Sequence, residues 1–171
     1  MRKLTIFLTI IFLILHSSFS YSGEKIAFVD LNYILSNSKT GKKILNELND
    51  LNNENIKKFQ LEEKKLIDAK KEIDNLKNII SIEEYNKKVV KFQEDVNKYD
   101  ISKNNIIKSF EKIKKNELNN FFSNLNQILN NYMEKNLIGI ILDKKNIIIS
   151  KTELDITEDI LLIVEKNDKI E

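Results

Sequence analysis

The chain has 171 residues, enough for one ordinary domain or for a small domain with an extension. It has no Cys, Pro or Trp, its one Arg is Arg2 and its one His is His16, so from residue 23 onward Cys, His, Arg, Pro and Trp are all absent. That excludes thiolate nucleophiles, disulfides, Cys/His zinc sites, imidazole acid–base steps and bidentate Arg clamps, and it sets an enzyme behind a binding or structural role.

The formal net charge is +2, and without Arg2 and Lys3 the acidic and basic side chains balance. A dedicated nucleic-acid binder is basic overall, so no nucleic-acid partner is expected. Ile, Lys and Asn dominate, and all three use AT-rich codons, so their counts alone say little about function.

Residues 1–22 have the three parts of a secretory signal. A basic start, Met1-Arg2-Lys3, precedes an apolar run over 4–15 and the small-residue pattern Ser18-Phe19-Ser20-Tyr21-Ser22. A twelve-residue helix rises ~18 Å, short of the ~30 Å hydrocarbon core, so cleavage after Ser20 or Ser22 is expected rather than anchoring. The mature chain is then exported, to a bacterial periplasm.

Lys25-Ile26-Ala27-Phe28-Val29-Asp30 reads as a strand, 31–36 as a helical turn, and 37–41 as a polar connection. From 42 to 136 there is neither Gly nor Pro, which predicts long helix. Apolar residues step by three and four through Ile82, Tyr85, Val89, Phe92, Val96, Tyr99, Ile106, Phe110 and Ile113, with Lys103 the one polar member. A slip at Glu117 precedes Phe121, Leu125, Ile128 and Tyr132, as in a stutter. A weaker row runs through Ile44, Leu48, Leu51, Asn55, Phe59, Leu66, Ala69, Ile73, Leu76 and Ile80. Such narrow seams suit one partner helix each. Ser81-Ile82-Glu83-Glu84 has capping-box form, so the two rows are expected to fold into a hairpin with its tip near 78–81.

The runs at 137–143 and 146–150 read as a β-hairpin turning at Lys144-Lys145. Asp155-Ile156-Thr157-Glu158 opens a final helix over 156–165. The expected class is α+β: an antiparallel coiled-coil arm over 42–118, projecting from a small strand-containing body formed by 23–41 and 119–171. That body is too small to hold a full core alone. Ile26, Phe28, Ile138, Ile140 and Ile148 are therefore candidates for a core completed by further copies.

Ser38-Lys39-Thr40-Gly41-Lys42-Lys43 lacks the Gly at 36 and the Ser or Thr at 43 of a phosphate-binding loop, and is read as a helix entry. Asp30 and Asp143 follow strands, where Asp caps turns. No catalytic, cofactor or metal site is assigned. Near the tip, Lys77, Lys87 and Lys88 belong to a Lys-rich patch suited to acidic partners or, weakly, to an anionic membrane surface. Ile79, Ile80 and Ile82 cluster there with little to pack against, which suits transient contact with unfolded chains.

Taken in order, Lys25-Ile26-Ala27-Phe28-Val29-Asp30, Thr40-Gly41-Lys42, the Pro-free hairpin, the run 137–143, the isoleucines 147–149 and Asp155-Ile156-Thr157-Glu158-Asp159-Ile160 resemble the Skp/OmpH family of periplasmic chaperones. The resemblance covers about 25–166. It implies a homotrimer in which strands from three chains form the body and helical arms enclose a cavity. It further implies ATP-independent binding of unfolded outer-membrane β-barrel proteins. Two features depart from the family: the mature chain is near neutral, and it has no Arg for the family's proposed lipopolysaccharide site, which is not carried over. The competing reading is a coiled-coil spacer of the cell envelope.

Overall fold

The computed structural model describes residues 24–167. The expected leader over 1–22 lies outside them.

Strand β1 (Lys25–Val29) leads into helix α1 (Leu31–Asn37) through Asp30, whose Oδ1 accepts the Tyr33 N–H at 2.9 Å. Asp30 is thus a helix cap. The polar connection expected over 37–41 contracts to the single buried residue Ser38. Ser38 donates its N–H to the Ile34 carbonyl and its Oγ accepts the Gly41 N–H at 3.1 Å, so one residue ends α1 and starts α2 (Lys39–Leu76). Gly41 permits this elbow: a Cβ there would lie 2.0 Å from the Leu35 carbonyl oxygen.

Helix α2 has 38 residues, a length of ~57 Å. After a turn over 77–81, Ser81 accepts the Glu84 N–H at 3.3 Å and caps α3 (Ile82–Asn136), as the Ser81/Glu84 spacing predicts. The 55 residues of α3 extend ~82 Å, so its last part runs on past α2 into the body. It ends at Leu137, held in the left-handed region with φ 54° and ψ 45°. A leucine there costs about 1–2 kcal/mol, and the turn it makes delivers the chain into β2 (Ile138–Asp143).

The strand pairing differs from expectation. β2 pairs in parallel with β1, with Ile26 opposite Ile140 and Phe28 opposite Leu142, and there is no β-hairpin over 137–150. Lys144-Lys145-Asn146 forms a 3-10 turn in which the Lys145 N–H reaches Asp143 Oδ1. None of the three has the positive φ that a tight hairpin turn requires, so the isoleucines beyond it are not folded back onto β2. Pairing with β1 instead sets Ala27, Val29 and Ile141 against the helices. Residues 144–155 form a strap that returns to β1, where the Ile156 N–H meets the Phe28 carbonyl at 2.9 Å. The strap is closed at its base by Lys144 Nζ on Asp155 Oδ2 at 2.8 Å. Helix α4 (Thr157–Asn167) follows, and Thr157 Oγ1 accepts the Asp30 N–H, tying strap, α1 and α4 together.

The core gathers Ala27 and Val29 of β1, Ile34 of α1, Phe121, Leu125 and Leu129 of α3, and Ile156, Ile160 and Val164 at α4. The arm is different. Leu51, Phe59, Leu66, Ile73, Phe92, Val96, Ile106 and Phe110 follow the two expected rows, and all are only half-buried.

Candidate functional site

The chemistry-bearing features fall on two surfaces: the helical arm with its tip, and the outer side of the body.

On the arm, the polar member of the seam finds a partner. Lys103 Nζ lies 2.8 Å from Glu63 Oε1, and the Tyr99 hydroxyl donates to the same oxygen. The ammonium also sits 5.5 Å from the Phe59 ring centroid and 5.3 Å from that of Tyr99. Hydrogen bonds from Lys103 and then Tyr99 hold the Glu63 carboxyl below its ordinary range. The Glu63 bond raises Lys103 in turn. This group joins α2 to α3 across 40 residues of sequence and pins one register between them.

At the tip, Ile79 and Ile82 are 76% and 81% exposed, and Ile80 is half-buried at the end of the seam. Lys77, Lys87 and Lys88 are exposed. Lys87 pairs with Glu83 at 2.7 Å, one helical turn away. The structure therefore gathers these six residues at one end of the molecule, with Ile80 packed and the others in solvent.

Further apolar residues, off the seam, were not singled out from the sequence. Leu45, Ile56 and Ile67 on α2 are exposed and spaced by eleven, as are Val90 and Ile101 on α3. Eleven residues make just over three helical turns, so each set forms a stripe along one helix face. The signal was in the sequence, masked by the stronger three–four rows beside it.

On the body, Phe28 is buried within the single chain, with Lys144 Nζ 5.9 Å from its ring. Ile26 and Ile140 are paired neighbours on the sheet and each is about half exposed, with Ile138 less so. Ile148 and Ile149 stand on the strap at 103% and 90% exposure. Asp143 accepts the Lys145 N–H and pairs with its ammonium at 2.9 Å, and so caps a turn. Tyr132 donates to Asp159 Oδ2 at 2.7 Å, and burial together with that bond pushes its hydroxyl up to about 12. No helix among the described residues is long and apolar enough to cross a membrane.

These elements recur in known proteins. A model of the outer membrane protein (OmpH-like) family matches residues 25–163. The chain belongs to the OmpH-like family. This is a chaperone family. A crystal structure of an OmpH-like candidate outer membrane chaperone from Caulobacter crescentus CB15 has the same fold, with a TM-score of 0.75. It is 15% identical, and the match covers 84% of this chain and 85% of that one. No curated protein matches.

Proposed function

We propose that this chain is an ATP-independent periplasmic holdase, exported by cleavage of residues 1–22, that keeps unfolded outer-membrane β-barrel proteins from aggregating. The observation that carries it is the arm: two helices with a thin, half-buried seam and a second set of apolar residues left in solvent. Leu45, Ile56, Ile67, Val90 and Ile101 along the faces, with Ile79 and Ile82 at the tip, offer many small contacts. Each is weak, and several together give avidity. Lys77, Lys87 and Lys88 supply steering toward acidic clients.

Enclosure needs more than one arm. The exposed Ile26, Ile140, Ile148 and Ile149, on a body whose sheet has two strands among the described residues, support self-association, and the copy number of three is what the family resemblance implies. In this reading 23–41 and 119–171 form the assembling body and 42–118 the arm. Membership of a chaperone family supports it.

The test dilutes a urea-unfolded β-barrel membrane protein into the purified mature chain without nucleotide and follows light scattering. Suppression at about one oligomer per client is expected. Aggregation as fast as in buffer would sink the reading and favour the envelope spacer, for which the Glu63–Lys103 link across the arm is the supporting observation.

A further inference from the structure

At the base of the arm, α2, α3 and α4 enclose a cleft of about 680 Å³. Its floor is apolar, made by Ile44, Phe121, Leu125, Ile128 and Val164. One wall is a row of side-chain amides on α3: Asn120, Asn124, Gln127 and Asn131. They step by four, three and four, each one residue ahead of Phe121, Leu125, Ile128 and Tyr132 in the apolar row. The whole row therefore follows one helix face beside the seam.

None of these four amides has a hydrogen-bond partner among the described residues. Two other amides, of Asn37 and Asn136, donate to the carbonyls of Tyr33 and Tyr132, each at 2.9 Å. The lining also carries Lys43 and Glu47, 4.0 Å apart and of opposite sign, and Glu117, three residues before Asn120, so its charged groups leave a single net negative charge.

We propose that this cleft binds an extended polypeptide segment, with the four amides pairing to its main chain and the apolar floor taking alternate side chains. This deepens the chaperone reading and rests on it. A primary amide carries both donors and acceptors, as a peptide unit does, so a row of them serves an extended backbone in either direction and at any sequence. A charged wall would instead select particular side chains. Asn120 to Asn131 spans ~16 Å of helix, the length of about five residues of extended chain. In such a chain every second side chain faces the same way, which matches an apolar floor under a polar wall.

The probe is a fluorescent ten-residue peptide alternating Val and Thr, compared with the same peptide N-methylated at every second residue. Anisotropy is measured with the full mature chain and with Asn124→Ala/Gln127→Ala/Asn131→Ala. All three residues are exposed, and circular dichroism checks that the variant stays folded. Losing about two to three modest hydrogen bonds predicts roughly tenfold weaker binding of the plain peptide by the variant. N-methylation should weaken binding to the parent chain by a similar factor and have little further effect on the variant. Equal binding of both peptides by the parent, unchanged binding by the variant, or no binding at all would overturn the proposal. So would a change in sedimentation of the variant without a change in peptide affinity, since that places a second copy in the cleft. Client scattering, run on the same preparations, separates the two readings. Loss of the amide effect with aggregation still suppressed removes only the cleft, whereas unsuppressed aggregation removes the chaperone.

Discussion

Body and arm are built from the same long helix, yet they use it differently. Between Leu48 and Phe121 no residue is buried, whereas Phe121, Leu125 and Leu129, further along α3, are all in the core. The difference is one of layers. In the arm each helix has a single neighbour and keeps most of its surface wet. In the body α3 is covered by β1, α1 and α4 as well. A two-helix layer can follow a perfect apolar period and still leave side chains available to other molecules. The chain thus puts its buried core in the body, while the arm carries free apolar surface along its whole length.

The contrast is most directly broken from the body side. Leu125→Ala opens a cavity under a side chain that is 2% exposed, and should cost about 2–5 kcal/mol in urea unfolding. Val96→Ala, at a half-buried position in the arm, should cost clearly less. Equal losses would mean that the arm is shielded by something beyond its own two helices. Gly41→Ala drives a methyl group into the Leu35 carbonyl and should destabilise the elbow by about 1–3 kcal/mol, read as a fall in Tm. Ser81→Ala removes the α3 cap and should cost about 1 kcal/mol, with hydrogen exchange rising first around residues 82–84.

One group in each region should tie stability to pH. Glu63 is held below its ordinary value in the folded arm. Its contribution is present above the unfolded pKa and is lost as pH falls through the folded one, so acid should loosen the arm. Tyr132 is raised from 10.0 to about 12, so the stability tied to its protonated form is full below 10 and is lost as pH rises toward 12. Tyr132→Phe should remove this alkaline step from body unfolding, and Glu63→Gln the acid step from the arm. The smallest effect on stability and the most selective on function is expected at the tip. Ile79→Ser with Ile82→Ser should change unfolding by no more than about 0.5 kcal/mol while reducing protection of an unfolded client. Unchanged protection would move client contact to the stripes of Leu45, Ile56 and Ile67.

Much of the arm was legible because its causes are local. Ser81 and Glu84 mark the start of α3, and the rows from Ile44 to Ile80 and from Ile82 to Tyr132 name most of the seam, although Ile82, Val89 and Ile113 stand exposed. The body was less legible. The runs 137–143 and 146–150 invite a hairpin because they are adjacent and β-branched, but β2 instead takes a partner more than a hundred residues earlier in the chain. The amide row at Asn120, Asn124, Gln127 and Asn131 is periodic too, and it passed unnoticed in a chain where Asn is common throughout. Its meaning comes only from the cleft that α2 and α4 close around it.

By itself, then, the sequence determined the helix lengths, the seam, the tip cap and the absence of thiol and imidazole chemistry. Each depends on residue type and on spacing within a few turns. The tertiary structure decided the parallel pairing of β1 with β2, the exposed strap bearing Ile148 and Ile149, and the partner of Lys103. Those depend on which distant surfaces meet. Loop closure makes every long-range pairing cost a similar entropy, so packing against the core, and not the local pattern, selects among them.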